Sequence, residues 1–471
     1  MIRFKKDISD FQRELFLILV HVGLGVMASY FKPLMKLYFA VVFVSFLWII
    51  IKRKNMGNIA LVFCAYYVGG DTFFRMTGGT FFYEQVKYTL IIYILLAEYY
   101  KPNKQRTIIY YIYILLLIPG VFVAMNALDY ETNLRKAIAF NLSGPVTLGI
   151  AAIHCYGRRV RFDTIKKILF YMGLPVISMT VYLFLYTPDL QAVITGTQSN
   201  FETSGGFGPN QVATVLGIGM FIFFVRYILW SPTLLWKTIN AGLLAIMTFR
   251  ALLTFSRGGV VTSVVMVALF LGMVYLVSTG RLKAKLIKVF SLLILVMLGT
   301  FIYSNFLSAG MLEKRYKNQD AIGRQKEDVT TGRKELIAAE IEAFNESPFF
   351  GIGVGKNKEY RYHRIGVMAA SHNEVSRILA EHGMLGILAM AILFFVPLLR
   401  FLVWHRNIYM LSFFAFWFLT INHSSMRISA PAFIYGLSLL SIVNVKNSIH
   451  RKQLTKEGQN HLDNRQLRQT A

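Results

Sequence analysis

The sequence carries little charge for its length and almost no cysteine. Of 471 residues, 16% are charged and 2 are cysteine, whereas 55% are hydrophobic. Soluble domains contain about 25% charged residues, so this composition excludes a soluble protein of this size and is typical of a polytopic membrane protein. Cys64 and Cys155 both lie in apolar segments, which argues against a disulfide framework and against a thiol metal site. We therefore predict a single membrane domain over residues 1–471.

The apolar segments are long enough to cross a membrane. A helix of about 20 residues spans the hydrocarbon core, which is roughly 30 Å thick. The pattern predicts an all-α polytopic fold with about 12–14 transmembrane helices. The segments lie near residues 15–31, 34–51, 58–70, 84–99, 106–124, 137–156, 165–186, 210–229, 235–254, 258–277, 285–307, 383–403, 408–423 and 430–445.

The basic residues follow a pattern of membrane topology. The formal net charge is +26, and Lys and Arg concentrate in every second connection between apolar segments. Cytoplasmic loops carry such an excess, so both termini are predicted to be cytoplasmic, with residues 446–471 as a solvated tail. This explains the charge without a nucleic-acid partner. The first apolar segment lacks a clear cleavage site and is expected to remain as a membrane anchor.

Two of the loops predicted to face outward differ from simple connectors. Residues 187–209 contain several glycines and prolines but no Lys or Arg, so this loop is expected to turn repeatedly and to pack over the membrane domain. Residues 308–372 form a loop with alternating charge that is much longer than a normal connection. This large extracytoplasmic loop is predicted to be a functional element containing short helices.

One helix is predicted inside the large loop. Thr331 is a suitable N-cap for a helix from Gly332 to about Asn345, whose apolar residues recur with helical spacing on one face. Pro348 follows shortly after and cannot continue the helix. The loop is therefore expected to present the motif Thr331-Gly332-Arg333 at a helix N-terminus.

His372 is the candidate general base. Ser371 and Glu374 match the S-x-x-E capping box, so a second helix is predicted to begin at His372 and to end near Gly383. The positive end of the helix macrodipole and nearby arginines would favour the neutral imidazole, which can accept a proton. The alternative is an ordinary interfacial histidine.

Three arginines are candidates for binding phosphate groups. A guanidinium group donates two parallel hydrogen bonds to phosphate and stays charged. Arg257 lies at the outer end of an apolar segment, and a continuous helix would place Arg250 on the same face, about 10 Å deeper. An arginine at that depth needs a counter-charge or a water-filled cavity. Arg333 lies in the first turn of its predicted helix, where the macrodipole disfavours a cation, and this favours a functional reason for it. The alternatives are snorkelling for Arg257, an internal ion pair for Arg250 and a solvated charge for Arg333.

Other patterns point to neither a cofactor nor a metal. Residues 351–356 look like a nucleotide-binding loop, but the Walker spacing fails because Phe350 and Asn357 stand where Gly and Ser or Thr are needed. A tight glycine turn is predicted there instead. The sequence has no H-E-x-x-H, C-x-x-C or D-x-D element, so we predict no metal site and no cofactor.

Four elements in this order resemble the O-antigen ligase and O-antigen polymerase superfamily of bacterial envelope glycosyltransferases. They are Gly206-Phe207-Gly208-Pro209-Asn210-Gln211, Phe255-Ser256-Arg257-Gly258-Gly259, Thr331-Gly332-Arg333 with Ser347-Pro348-Phe349-Phe350-Gly351-Ile352-Gly353, and His372-Asn373 with Glu381-His382-Gly383. The resemblance covers residues 190–425 in motif terms. Each element alone is weak, and their order on the predicted outward side makes the resemblance specific.

The resemblance implies a GT-C-like membrane fold in the bacterial cytoplasmic (inner) membrane. The donor would be an undecaprenyl-diphosphate-linked glycan, and the acceptor a sugar hydroxyl of lipid A-core or of another glycan. Family roles would fall on Arg257 and Arg333 as diphosphate ligands and on His372 as the base, in an inverting reaction. Because diphosphate is a good leaving group, cations that stabilise it can replace a general acid or a metal.

Several points stay open at this level. Asn210 is a candidate for shaping the donor groove, or it caps its helix. Arg250 matches no family motif, and about fourteen spans exceed the roughly twelve common among ligases. The alternative function is a membrane transporter or flippase of lipid-linked glycans, for which Arg250 and Lys87 are the main deep charges.

Overall fold

The computed structural model describes residues 2–326, 332–403 and 407–443. The predicted cytoplasmic tail, residues 446–471, lies outside the described residues, as does Thr331. The described chain consists of helices and two strands of three residues, β1 (Arg159–Arg161) and β2 (Ser441–Val443). In chain order the helices are α1 (Ile2–Tyr30), α2 (Leu34–Arg53), α3 (Ile59–Met76), α4 (Gln85–Tyr100), α5 (Ile108–Ala127), α6 (Leu134–Cys155), α7 (Phe162–Tyr186), α8 (Leu190–Val193), α9 (Pro209–Leu229), α10 (Leu234–Leu253), α11 (Arg257–Leu276), α12 (Gly280–Leu307), α13 (Met311–Tyr316), α14 (Arg333–Glu346), α15 (Asn357–Ile365), α16 (Glu374–Val403), α17 (Met410–His423) and α18 (Ala430–Ser438), with 3-10 turns at Met56–Asn58 and Glu202–Ser204.

Each predicted apolar segment contains a helix, and all but the last are helical over most of their length. Among the described residues, 9 helices are long and apolar enough to cross a membrane. These are α1 from Phe11, α2, α5, α6, α7, α9, α11, α12 from Leu286 and α16. The prediction of a polytopic, predominantly helical membrane protein is confirmed, although fewer helices than predicted meet a full spanning length.

The last predicted segment is shorter than expected. Helix α18 has only 9 residues, and the chain then forms β2, which pairs in parallel with β1 so that Arg159 is opposite Ser441. The Gly157 N–H donates to the carbonyl of Leu439 at 3.0 Å, which adds a further hydrogen bond between the segments that carry β1 and β2. The purely α-helical expectation misses this pairing because each strand is too short to show an alternating pattern.

Close packing of small residues holds the helices together. A Cβ atom at Gly69 in α3 would lie 1.9 Å from the carbonyl oxygen of Met172 in α7, so only glycine permits this approach. In the same way, a Cβ atom at Gly259 in α11 would lie 2.4 Å from the carbonyl oxygen of Ala213 in α9. Membrane helices without a hydrophobic force between them rely on such contacts.

The two ends of the bundle differ in character. The β1–β2 pair marks one end, which we call the strand end. There the buried Arg226 of α9 pairs with Glu14 of α1 at 2.7 Å, and Arg158 pairs with Glu98 at 2.8 Å. We call the opposite end, where α7 finishes and α11 begins, the site end.

The two long loops lie together at the site end. Thr203 of the first loop donates to the carbonyl of Leu253 at 2.6 Å, and Thr197 donates to the carbonyl of Gln319 in the second loop at 2.8 Å. The first loop therefore packs over the membrane helices, as predicted. The second loop contains α13, α14 and α15, in agreement with the expectation of short helices.

Candidate active site

A sharp turn separates α10 from α11 and aims Arg257 out of the bundle. Phe255 has φ of +57°, a left-handed conformation that no helix interior adopts. Arg257 is thus the first residue of α11 rather than a continuation of α10. The expectation that Arg250 and Arg257 share one helix face is wrong, because the backbone changes direction between them.

Three arginines meet beyond this turn. Arg257 donates to the side-chain oxygen of Asn318 at 2.5 Å and lies 3.5 Å from the carbonyl of Arg315, whose own Nε donates to the carbonyl of Phe255 at 3.1 Å. Burial, and then the charges of Arg257 and Arg333, lower the pKa of Arg315 to about 10. Burial and the charge of Arg257 likewise lower the pKa of Arg333. We call these three residues the arginine cluster.

Within the part of the chain that the structure describes, the arginine cluster has no acidic partner. Within the described ranges, none of the three guanidinium groups forms an ion pair with a carboxylate. Like charges brought together in a partly buried place raise the free energy of the empty protein. An anion with several oxygens would offset this cost, because planar guanidinium groups bind phosphate oxygens in pairs.

Arg333 begins α14 in nearly the predicted place. The helix runs from Arg333 to Glu346, against the predicted Gly332 to about Asn345, and Gly332 takes the N-cap position with φ of +77°. The predicted cap Thr331 lies outside the described residues. Arg333 is therefore at the first position of the helix, and its guanidinium is held near Arg257 rather than in open solvent.

His372 lies immediately before α16 and not within its first turn. Asn373 is the cap, because its side-chain oxygen accepts from the N–H groups of Val375 at 2.8 Å and Ser376 at 3.2 Å. The predicted capping box does not form, since Ser371 donates to Glu340 and the carboxylate of Glu374 binds Arg377. Gly383, with φ of +60°, breaks α16 into two helical segments, so the first segment ends where the sequence predicts.

The environment of His372 keeps its ring neutral. Burial, and then the charges of Arg427, Arg333 and Arg361, lower the pKa of His372 to about 4. The predicted direction agrees, although burial and arginines dominate rather than a macrodipole. Its Nδ1 is buried and has no hydrogen-bond partner among the described residues. Buried polar atoms are normally paired, so this unpaired nitrogen marks His372 as a candidate for hydrogen bonding to a ligand.

His372 and Arg333 line one small cavity. Asn373, Asn422 and Glu340 complete its polar wall. The structure therefore brings together two of the predicted site residues that lie far apart in the sequence, and Arg333 in turn lies near Arg257. A neutral base and an arginine cluster thus adjoin each other at the site end.

Two groups that the sequence did not reveal hold the backbone at His372. Arg427 donates to the carbonyls of Ala370 at 3.1 Å and Ser371 at 2.9 Å, and its own carbonyl accepts from Arg75 of α3 at 3.1 Å. Glu340, which is 1% exposed, accepts from Arg361 at 2.5 Å and also from Ser371. The only signal for Arg427 or Glu340 in the sequence is a charge near an apolar segment, which does not distinguish either residue.

Asn210 links two helix starts. It follows Pro209 at the beginning of α9, where Gly208 takes the cap position, so the alternative that Asn210 caps its own helix is wrong. Its side-chain oxygen accepts from the hydroxyl of Ser256 at 2.7 Å, directly beside Arg257. Asn210 therefore fixes the turn that presents Arg257.

Arg250 is placed apart from the arginine cluster. It has 0% exposure and donates to the carbonyls of Leu183 at 3.0 Å and Thr203 at 2.9 Å. The guanidinium lies over the Phe184 ring at 5.0 Å. These contacts favour a structural role, tying α7 and the first loop to α10, over the predicted contact with diphosphate.

The predicted glycine turn over residues 351–356 docks the large loop on the membrane helices. Gly351 and Gly353 have φ of +73° and +94°, and a Cβ atom at Gly353 would lie 2.7 Å from the backbone nitrogen of Ala124 in α5. The N–H of Val354 donates to the carbonyl of Gly120 at 3.0 Å. The loop is therefore anchored in a fixed position over the site end.

The described parts of the chain contain no set of side chains assembled to coordinate a metal ion. There, no group of three or more His, Cys, Asp or Glu side chains is arranged to hold an ion. The positive charge of this site comes from the arginine cluster.

Residues 242–391 match a family model described as O-Antigen ligase. The matched segment contains Arg250, Arg257, Arg315, Arg333 and His372 and confirms the resemblance predicted from the motifs. The family is one of membrane glycosyltransferases, so the prediction of an enzyme is confirmed. A search of the curated proteins gives no match.

Proposed function

From the premise that residues 242–391 carry an O-antigen ligase family segment, we propose that the protein transfers a glycan from undecaprenyl diphosphate to an acceptor sugar hydroxyl on the outer face of the cytoplasmic membrane. The observation that carries this proposal is the arginine cluster, whose guanidinium groups form no ion pair with a carboxylate among the described residues, beside a neutral histidine. A diphosphate-linked donor needs cations for its leaving group, and an acceptor hydroxyl needs a base.

The arginine cluster receives the diphosphate. Arg257 and Arg333 are the predicted ligands, and Arg315 joins them because its guanidinium lies within electrostatic range of both. Cations placed where negative charge develops lower the barrier to leaving-group departure. In this role the cluster supplies the charge that a divalent metal supplies in other diphosphate chemistry. Asn210 acts indirectly, by holding the turn before Arg257.

His372 removes the proton of the acceptor hydroxyl. The hydroxyl oxygen attacks the anomeric carbon, the bond from that carbon to the diphosphate oxygen breaks, and undecaprenyl diphosphate leaves with the bonding electrons. Attack opposite the leaving group inverts the anomeric configuration. The negative charge of the bound diphosphate offsets the nearby arginines, which raises the pKa of His372 from about 4 towards the range of an effective base.

The distribution of basic residues supports an outward-facing site. Helix α7 runs from the strand end to the site end, and the basic residues around its start include Arg158, Arg159, Arg161, Lys166 and Lys167. Cytoplasmic connections carry such an excess. The strand end is then cytoplasmic, and the arginine cluster lies on the side where lipid-linked glycans are displayed.

A reconstituted reaction tests the proposal. The purified protein in liposomes receives an undecaprenyl-diphosphate-linked glycan and, in two separate reactions, lipid A-core or a second lipid-linked glycan as acceptor. We expect His372→Ala to lower kcat by about 10²–10⁴, the usual contribution of a general base, without loss of folded protein. Product on lipid A-core indicates a ligase, and elongation of lipid-linked glycan indicates a polymerase.

The matched control is His363→Ala, since His363 is an exposed histidine of the same loop, with its side chain 66% exposed. This control should keep full activity. Full activity of folded His372→Ala would exclude the proposed base, and transfer by neither reaction of the wild-type protein would exclude the proposed function.

A further inference from the structure

A large groove opens at the site end, where the start of α6 meets α15. Its volume is about 1100 Å³, just above the usual range for ligand pockets. The connection between α3 and α4, the start of α6 and helix α15 form its walls. The described residues that face it include Phe82, Tyr83, Tyr88, Phe140, Arg135 and Lys136.

The groove combines exposed aromatic rings with polar groups. Phe82 and Tyr88 lie 5.7 Å apart between ring centroids, and so do Tyr83 and Phe140. Phe82 is 50% exposed and Tyr88 is 37% exposed. Sugar rings present C–H faces that stack on aromatic rings and hydroxyl groups that bond to polar side chains. A glycan fits such a lining better than a lipid chain, which offers nothing to the polar groups.

The walls of the groove are fixed before any ligand arrives. Lys356 pairs with Asp129 at 2.7 Å and with Glu359 at 2.6 Å, which joins α15 to the connection between α5 and α6. On the opposite wall, the Tyr83 ring lies 4.1 Å from the guanidinium of Arg75. A preformed site binds without the entropic cost of ordering its loops.

The groove leads towards His372. Phe140 and Asn141 line both the groove and a smaller cavity, and Ser371 and Arg427 line that smaller cavity as well. His372 follows Ser371 in the chain and shares its own cavity with Arg333. The segment Ser371-His372 therefore contacts both the cavity that adjoins the groove and the cavity that contains Arg333.

We propose that this groove binds the acceptor oligosaccharide, so that donor and acceptor approach His372 from opposite sides. The proposal rests on the proposed function for the identity of the reaction but has its own binding test. The sugars of lipid A-core and the end of a growing polysaccharide share the required chemistry. The groove determines which acceptor is used, whereas the arginine cluster determines only that the donor carries diphosphate.

Phe82→Ala is the test variant, and Phe81→Ala is its matched control. Phe81 is the neighbouring residue, is 61% exposed and does not face the groove. In the reconstituted reaction, Phe82→Ala should raise the KM for the acceptor about tenfold, equal to about 1.4 kcal/mol, with the KM for the donor unchanged. Phe81→Ala should change neither constant by more than twofold.

Binding is measured separately on His372→Ala protein in detergent, by calorimetric titration with two probes. These are the oligosaccharide released from lipopolysaccharide core and the oligosaccharide released from the surface polysaccharide of the source bacterium. We expect one of them to bind and Phe82→Ala to weaken that binding about tenfold.

Equal acceptor KM values for the Phe82→Ala and Phe81→Ala proteins would overturn the groove assignment, as would binding of neither probe. Because titration needs no turnover, it can support the groove even when the transfer assay fails. If the Phe82→Ala protein transfers glycan with a normal acceptor KM, the proposed function stands but the groove is not the acceptor site.

Discussion

Arginines that are buried at the strand end and half-buried at the site end of this membrane protein have different partners. At the strand end, Arg226 is paired with Glu14 at 2.7 Å and Arg158 with Glu98 at 2.8 Å. At the site end, Arg257, Arg315 and Arg333 have hydrogen bonds to neutral oxygens or none, and no carboxylate partner within the described residues. The contrast does not come from a shortage of acids, since Glu340 nearby is paired with Arg361.

The difference separates cations that hold the fold from cations available to a ligand. Taking a charge out of water costs several kcal/mol, and an ion pair at close range offsets that cost. At the strand end, ion pairs within the protein offset this desolvation cost. Among the described residues, no carboxylate offsets this cost at the arginine cluster, so an anion would have to do so, which is the exchange of stability for function found at many active sites.

Removal of one arginine from each end should reveal the functional difference between the two ends most clearly. At the site end, we expect Arg257→Ala to lower kcat/KM by about 10²–10³, the cost of losing one preorganised group that stabilises developing negative charge. The thermal stability of the empty protein should stay the same or rise, because repulsion within the arginine cluster decreases. Activity in liposomes and thermal unfolding in detergent measure the two effects.

At the strand end, Arg226→Ala should have the opposite profile. Removal of Arg226 leaves the Glu14 carboxylate with only the partly exposed Lys166, at 3.2 Å, so the loss of stability should lie near the lower end of the about 3–5 kcal/mol typical of a broken buried pair. The activity of each molecule that still folds should remain near wild type. Loss of stability in Arg257→Ala equal to that in Arg226→Ala would show that both arginines are structural.

The pH dependence sharpens the role assigned to the histidine beside the arginine cluster. His372 must be neutral to accept a proton, so activity is lost as the pH falls through its pKa. With the pKa of His372 lowered to about 4, kcat/KM should stay level down to about pH 5, reach half its value at about pH 4 and fall about tenfold for each unit below that.

The acidic decline of kcat should occur at higher pH than that of kcat/KM, because the bound diphosphate raises the pKa of His372. Initial rates over a pH series, with enzyme stability checked at each pH, give both limbs. A decline only on the alkaline side would contradict a histidine base.

The smallest effect is expected from chelation. If the arginine cluster supplies the positive charge, then EDTA should change the transfer rate less than twofold. Addition of Mg²⁺ after EDTA is the control for nonspecific effects on the liposomes. A loss of activity that Mg²⁺ restores would show that the arginines act together with a metal.

The sequence was sufficient for the helices and for the general position of the site. Long apolar segments specify membrane helices with little help from tertiary contacts, and glycine-rich stretches such as residues 351–356 specify turns. His372 and Arg333 could be selected because their positions near predicted helix starts made their charge states unusual. They indeed share a cavity.

Features that depend on contacts between distant segments could not be predicted. Arg315 joins the arginine cluster through a carbonyl on a turn 60 residues earlier in the chain. The capping box at Ser371 failed because Glu340 competes successfully for the Ser371 hydroxyl. The prediction of one continuous helix through Arg250 and Arg257 is wrong because Phe255 has a left-handed backbone conformation, which no sequence pattern indicates for phenylalanine.

The hydrogen bond from Arg75 to the carbonyl of Arg427 joins residues 352 positions apart. During synthesis, α3 emerges from the ribosome about 350 residues before the segment that steadies His372. The pocket can therefore close only after the chain from α3 to Arg427 has been inserted. A half-made enzyme would lack the support of its base and could not consume lipid-linked precursors before its assembly is complete.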